Sequence, residues 1–211
     1  MIERLLYRIS ARRPCRFIDG EQGEPYLERY YLFGALGWHA YLHRFVDSDP
    51  DRGLHDHPWN RALSLVLSGG YEELRPSDRH ARCSKPHSAQ VSRDGEGPGT
   101  ASLSPHPGPL SRGEAYGERQ RHADRIESRF IRPFRINFLC GEDFHRVVLQ
   151  GRRPAWTLFI HGPRAKGWGF LQNGTFRTMA KDENEFRHRD WWKNAPKGHE
   201  MRALREVRQH L

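Results

Sequence analysis

Two histidines separated by one residue are the clearest chemical signal in the chain. His55 and His57 lie in the stretch Gly53–Trp59, directly before the apolar run Ala62–Leu67. Side chains two residues apart on a strand point to the same face of a sheet, so both imidazoles can reach one metal ion. Pro58 cannot donate to a sheet ladder and predicts a bend or an edge after the pair. The spacing therefore predicts two metal ligands on one strand.

A third histidine is expected to complete this site. His145 alternates with Val147 and Leu149, which places the three side chains on one face of a second strand. If that face is interior, His145 enters an apolar space, and three neutral imidazoles leave coordination positions open for a substrate or water. Imidazole suits several metals, so the ligand set predicts a divalent transition metal (Fe, Ni or Zn) without selecting one.

Short apolar segments separated by glycine and proline predict strands on both sides of the histidines. Residues 26–33 and 38–46 form a predicted hairpin, with His39, Tyr41, His43 and Phe45 on one face of its second strand. Further strands are predicted over 62–67, 71–74, 134–138, 144–149, 155–160 and a hairpin at 167–177. Such spacing is typical of a β-sandwich or barrel. Helical periodicity predicts a short helix over 1–13 and another over 199–210.

The middle of the chain interrupts this pattern. Residues 75–129 contain no Phe or Trp and are rich in Pro, Gly, Ser, Arg and His. Such a composition buries too little apolar surface to offset the entropy of ordering, so we expect a low-complexity, disordered insertion. Its histidines are then not part of the site. We expect one domain over 1–211, with a charged C-terminal tail and helix over 181–211.

Composition narrows the function classes. The formal charge of +9 permits an acidic partner, but the basic residues are dispersed and no nucleic-acid-binding motif is visible, so nucleic acid is not the expected partner. The three cysteines form no C-x-x-C pair, which favours a reducing compartment. No apolar stretch approaches the roughly 20 residues that a membrane span needs. We expect a cytoplasmic protein that does not contact a membrane.

The histidine pair, the strand and Gly69–Gly70 after it, and His145 downstream resemble the two motifs of the cupin superfamily. The stretch His-Asp-His-Pro-Trp is similar to uncharacterised bacterial and phage cupin-like proteins. The resemblance implies an all-β, cupin-type double-stranded β-helix (jelly roll) with short terminal helices, and a homodimer. One departure is clear. The glutamate that the family places four or five residues after the second histidine is replaced by Arg61 and Ala62, and Glu72 and Glu73 lie beyond the strand.

Three functions follow from this resemblance. The leading one is a metal-binding cupin, similar to the three-histidine thiol dioxygenases, that acts as a non-haem metal oxygenase or related enzyme on a small anionic molecule. Arg61 would hold the anion by bidentate contact, with a surface salt bridge as the alternative role of this residue. The second is a metal-independent sugar-nucleotide epimerase or isomerase, because Arg52–His55 is similar to the motif around the catalytic histidine of dTDP-sugar 3,5-epimerases. His55 would then be the general base. The third is a non-catalytic ligand-binding cupin.

Two further histidines are each followed, two residues later, by an aspartate, as in a different type of metal site. His122 with Asp124 and His188 with Asp190 have the H-x-D spacing of a facial triad. Neither pair lies on a predicted strand of the barrel. A 2-oxoglutarate oxygenase is therefore not predicted.

Overall fold

A computed structural model describes residues 1–20, 23–77, 126–151, 153–172, 175–178 and 190–208 of the chain. The described part consists mostly of β-strands, with a helix near each end. In chain order the elements are α1 (Ile2–Ala11), β1 (Cys15–Asp19), β2 (Pro25–Ala35), β3 (Trp38–Phe45), β4 (Leu54–His55), β5 (Arg61–Ser68), β6 (Tyr71–Pro76), β7 (Ile126–Ile131), β8 (Ile136–Cys140), β9 (Arg146–Val148), β10 (Ala155–His161), β11 (Gly169–Gln172), β12 (Thr175–Thr178), a 3₁₀ turn (Trp191–Lys193) and α2 (Gly198–Arg208).

The first layer is a six-stranded sheet in the order β1-β2-β3-β10-β5-β8. All of its pairings are antiparallel. The predicted hairpin of β2 and β3 is confirmed, and its turn contains Leu36 and Gly37 at positive φ. Glycine adopts that conformation without the steric penalty that a Cβ brings.

The second layer consists of two three-stranded sheets, β12-β11-β4 and β7-β6-β9. A bridge between His55 and His145 joins them edge to edge. The His55 N–H donates to the His145 carbonyl at 2.8 Å, and the His145 N–H donates to the His55 carbonyl at 2.9 Å. The layer therefore continues in the order β12-β11-β4-β9-β6-β7. Two facing antiparallel layers of this kind form the expected double-stranded β-helix.

The core between the layers follows from period-2 alternation along the strands. Leu27, Phe45 and Val66 from the first layer pack with Tyr71 and Val147 from the second. The side chains predicted to share one face of β3 do so, and the structure shows that this face is interior. The inward-facing side chains of β2, β3 and β10 are, strand by strand, Leu27, Arg29 and Tyr31; His39, Tyr41, His43 and Phe45; and Ala155, Thr157, Phe159 and His161.

The outer face of the first layer is covered by the helices. Leu6 of α1 packs with Tyr30 and Trp156, because the apolar residues of α1 recur on one side at helical spacing. On the same face Glu28 is almost fully buried, accepts a hydrogen bond from the Tyr30 hydroxyl at 2.6 Å and pairs with Arg44 at 2.8 Å. No helix of the described residues is long and apolar enough to span a membrane.

The structure differs from the sequence prediction at several boundaries. Strands β1 and β7 were not predicted, and β4 ends at His55, so His57 lies beyond the strand. β6 extends to Pro76 and β7 starts at Ile126, so both ends of the predicted 75–129 insertion belong to strands. The remaining insertion, 78–125, and residues 181–189 of the tail lie outside the described residues, as do three of the four members of the H-x-D pairs.

Candidate metal centre

Three histidine rings converge at the bridge between the two halves of the second layer. The ligand nitrogens of His55, His57 and His145 all lie within 4.8 Å of one another. Nε2 of His57 is 2.8 Å from Nε2 of His145. Two nitrogens bound to one tetrahedral zinc ion lie about 3.3 Å apart. The three rings therefore need only small shifts to bind a common ion.

Backbone pairing explains why His55 and His145 meet. They are directly opposite each other and exchange both backbone hydrogen bonds, so their side chains project from the same side of the layer. Their ring centroids are 4.7 Å apart. His145 precedes β9 by one residue and is buried, whereas His55 keeps partial solvent exposure.

His57 reaches the same point from a fixed loop rather than from a strand. Asp56 is buried, accepts the Gly169 N–H at 2.7 Å and pairs with the ammonium group of Lys166. The carbonyl of Pro58 accepts the Ala165 N–H at 2.8 Å. These contacts attach both sides of His57 to the segment before β11. Asp56, the residue between the two histidines, thus holds the loop in place.

A carboxylate that the sequence did not assign to the site supports His145 from behind. Glu73 is 1% exposed, and its Oε1 lies 2.9 Å from Nδ1 of His145. Asn137 donates to the same oxygen at 2.7 Å, and Arg75 pairs with Oε2 at 2.9 Å. Burial alone would raise the pKa of Glu73, but hydrogen bonds from His145 and Arg75, together with the positive charge of Arg75, outweigh it and lower the pKa to about 2.

This arrangement fixes which nitrogen of His145 is free. An ionised carboxylate only accepts hydrogen bonds, so a neutral His145 donates from Nδ1 to Glu73. Its Nε2 then presents a lone pair towards His57. A carboxylate behind a histidine ligand is a usual feature of metal sites, where it fixes the ring and raises its basicity. The donor set therefore fits a divalent transition metal.

The rings of His55 and His57 are held in the neutral state that binds metals. Burial lowers the pKa of His55 and His57 well below the usual value, and repulsion from a protonated His145 would lower both further. Neutral imidazole is the form that ligates a metal. A second carboxylate lies near His55: Oδ2 of Asp49 is 3.9 Å from Nδ1 of His55 and accepts the Val147 N–H at 2.8 Å. Burial raises the pKa of Asp49 to about 6.

Arg61 is not brought to the histidine cluster. It is the first residue of β5, its side chain is exposed, and alternation places it on the face opposite to buried Ala62 and Ser64. Arg29 of β2 occupies the interior instead, where its Nε donates to Nε2 of His43 at 3.1 Å. Sequence reasoning missed Arg29, although its alternation with Leu27 and Tyr31 was visible.

A second group of histidines lies next to the cluster. The His43 ring stacks on Phe159 at 4.9 Å, and Phe159 is 6.2 Å from His57. His161 stacks on Trp59 at 4.0 Å. Burial, with a smaller effect from Arg29, lowers the pKa of His43 well below its usual value and that of His161 to about 4. Among the described residues, only His55, His57 and His145 form a group close enough to share a metal ion.

Comparison with known proteins gives structural likeness without sequence likeness. No protein-family model matches the chain, and no curated protein matches it in sequence. It is similar to hydroxypropylphosphonic acid epoxidase from S. wedmorenis, with TM-score 0.38 and 9% identity over 70% of this chain and 55% of that one. It is similar to an oxalate oxidase, with TM-score 0.40 and 12% identity over 73% and 60%. An uncharacterised protein with a double-stranded β-helix domain from Klebsiella pneumoniae gives TM-score 0.38 and 10% identity over 67% and 76%.

The chain spans less than two thirds of the epoxidase and of the oxalate oxidase. Overlaps of this size and identity assign no reaction and no substrate. The features established by the residues themselves are the two-layered antiparallel fold and a three-histidine cluster at the junction of its second layer.

Proposed function

We propose that this protein is a metal-binding member of the cupin superfamily and a non-haem oxygenase or related enzyme acting on a small anionic molecule. His55, His57 and His145 would hold the metal. The observation that carries the proposal is the approach of the two Nε2 atoms of His57 and His145, 2.8 Å apart, with Glu73 on the far side of His145. Three histidine ligands leave coordination positions open, as a catalytic site requires.

A divalent transition metal would supply Lewis-acid chemistry at this position and, in the case of iron, redox chemistry. The residues of the chain provide the surroundings. Trp59 and Phe159 contact each other at 5.6 Å and line one side of His57, where they limit the access of water. Glu73 keeps the Nδ1 proton on His145 and so keeps Nε2 available. Partial exposure of His55 and His57 leaves the site open to a small molecule.

Elemental analysis of protein purified without a metal-affinity tag tests the proposal. The wild-type chain is expected to carry close to one Fe, Ni or Zn, and the His55→Ala/His57→Ala double variant is expected to lose it. His199→Ala is a matched control, because His199 is an exposed histidine on α2 and should leave the metal content unchanged. Absence of metal from the wild-type protein, or equal metal in the double variant, would contradict a metal centre.

A second candidate function has one specific observation in its favour. In a metal-independent epimerase, His55 would act as a general base and would need an acidic partner. Asp49 lies 3.9 Å from its Nδ1, beyond hydrogen-bond distance but within reach of a small ring movement. A turnover that survives complete removal of metal and is lost in Asp49→Asn would favour this candidate over the metal-dependent one.

A further inference from the structure

We propose that Arg29 is the residue that binds the oxyanion of the substrate, a carboxylate or a phosphonate, beside the histidine cluster. This inference rests on the proposed function, because it names the substrate class of the same site. The sequence suggested Arg61 for that role. Arg61 is exposed on β5, whereas Arg29 lies on β2 and points between the two layers.

Arg29 faces the space between the two layers. On β2 it alternates with Leu27, a member of the core, and in the sheet register it lies directly opposite His43. His43 in turn lies opposite Thr157 of β10. The three side chains form one transverse row across the inner face of the large sheet, with the guanidinium at one end.

The guanidinium has no negatively charged partner among the residues that the structure describes. Its contacts there are the hydrogen bond to His43 and the face of the Tyr41 ring, 5.6 Å from Cζ. Other partly buried arginines are paired: Arg44 with Glu28 at 2.8 Å and Arg75 with Glu73 at 2.9 Å. A guanidinium has five N–H donors in a planar fork, so several donors of Arg29 stay available.

An uncompensated charge in a protein interior is costly, and a counter-charge with good geometry reduces that cost. The described part of this chain offers Arg29 no such group, although it offers one to Arg44 and Arg75. A bound oxyanion would supply the missing charge. The planar fork of arginine matches carboxylate and phosphonate oxygens bidentately, and these two anions therefore share one recognition chemistry.

Arg29 is connected to the histidine cluster through two aromatic contacts. His43, its hydrogen-bond partner, stacks on Phe159 at 4.9 Å, and Phe159 contacts His57 at 6.2 Å. The anion site and the histidine cluster thus belong to one space.

A second polar group in the same row lacks a partner. The Oγ1 atom of Thr157 is buried without a hydrogen-bond partner among the described residues, and Thr157 is 0% exposed. A buried hydroxyl without a hydrogen-bond partner is destabilising. A ligand oxygen held by Arg29 would lie on the side of the sheet where this hydroxyl is located. The row therefore presents two kinds of hydrogen-bond donor, the guanidinium of Arg29 and the hydroxyl of Thr157.

The aromatic residues around the row indicate what the rest of the ligand can be. His161 stacks on Trp59 at 4.0 Å and on Tyr41 at 5.4 Å. These rings offer flat apolar faces next to the cation. Benzoate and phenylphosphonate therefore combine a planar ring with each oxyanion, and benzamide has nearly the same shape as benzoate without the charge.

The test is calorimetric titration of the full-length protein with these three probes, as purified and again after treatment with a chelator. The wild-type protein is expected to bind benzoate or phenylphosphonate at least tenfold more tightly than benzamide. Arg29→Gln should weaken binding of that anion by about tenfold or more, and Arg29→Lys, which keeps the charge but loses the fork, by less. Arg61→Gln is the matched control and should bind as the wild type does.

Equal binding of benzoate, phenylphosphonate and benzamide by the wild-type protein would overturn the inference without any variant. The inference would also be overturned if Arg29→Gln left anion binding unchanged, or if Arg61→Gln weakened anion binding as much as Arg29→Gln does. Metal content, measured on the same samples, separates the two proposals. Anion binding that depends on Arg29 in a protein without metal supports the inference and ends the proposed metal centre. A full metal complement, together with anion binding that does not depend on Arg29, supports the proposed metal centre and overturns the inference about Arg29.

Discussion

Oε1 of Glu73 accepts a hydrogen bond from Nδ1 of His145 at 2.9 Å, from a position 72 residues earlier in the chain. The carboxylate is buried and held by Asn137 and Arg75, so it cannot turn away from the ring. The cluster consequently has an anion that contacts His145, one of the three proposed metal ligands, from the side away from His57. Glu73 lies on β6, whereas the cupin motif that the sequence resembles has its glutamate four or five residues after the second histidine.

Removing the charge of Glu73 should weaken metal binding. Glu73→Gln keeps the size of the side chain but loses the anion that stabilises the Nδ1 proton of His145, and such supporting residues typically account for 10–100-fold in metal affinity. We expect the metal dissociation constant to rise by about that factor in a chelator competition. Glu72→Gln is the control, since Glu72 accepts from Gln150 at the surface. Equal affinity of the two variants would show that Glu73 does not support the site.

Asp56 should contribute to stability through the loop that carries His57. Asp56→Ala removes the acceptor for the Gly169 N–H and leaves the Lys166 ammonium without its buried partner. Losing a buried charged hydrogen bond costs roughly 2–4 kcal/mol, measurable as a lower free energy of unfolding in urea. Asp51→Ala is the control, because Asp51 is exposed and pairs with Arg146 at the surface; exposed pairs contribute about 0–1 kcal/mol. A loss no larger than in that control would contradict the role.

Acid should destabilise the metal-free protein through its interior histidines. The pKa of His161 falls from 6.5 to about 4 on folding, so the unfolded chain binds a proton there more readily. Stability is then fully present above pH 6.5 and is lost as the pH falls towards 4, by on the order of 3 kcal/mol for this residue. His43 acts in the same direction. Asp49, whose pKa is raised to about 6, acts in the opposite direction below that pH.

The measurement is urea unfolding in the presence of a chelator at pH 7.5 and pH 5. His161→Gln should reduce the difference between the two pH values. An unchanged difference in that variant would mean that His161 is not the neutral, buried group described above.

The insertion should be removable at defined points. Pro76 and Ile126 are cross-strand partners at the end of the β6–β7 ladder, so a short Asn-Gly turn can replace residues 78–125 without moving either strand. Shortening the closed loop reduces its entropic cost by roughly 2 kcal/mol, and the melting temperature should rise. Deletion of 76–128, which also removes part of β7, is the comparison and should lower it. A fall in both variants would show that residues 78–125 stabilise the fold.

The site was predictable from the sequence where local spacing determines geometry. His55 and His57 are two residues apart, and His145 alternates with apolar residues, so both ends of the cluster could be recognised without a structure. The grouping of His39, Tyr41, His43 and Phe45 on one face of β3 followed from the same alternation. These features depend on residues that are neighbours in the chain.

The rest of the site depends on register between distant strands. Glu73 meets His145 because β6 pairs with β9, with Glu73 opposite Val147, and no local pattern specifies that pairing. Arg29 was overlooked in favour of Arg61, which is close to the histidine pair in sequence but on the outward face of β5. His57 was expected on a strand, yet tertiary contacts of Asp56 end the strand at His55 and still direct the ring to the cluster.

The bridge between His55 and His145 gives the proposed metal an effect beyond chemistry. The same two residues connect the halves of the second layer through their backbones and supply ligand atoms through their rings. Metal occupancy and cohesion of that layer are therefore thermodynamically linked, since an ion that binds only the closed arrangement stabilises it by mass action. The amide protons of His55 and His145 should accordingly exchange with solvent more slowly as metal is added, which makes the backbone itself a reporter of occupancy.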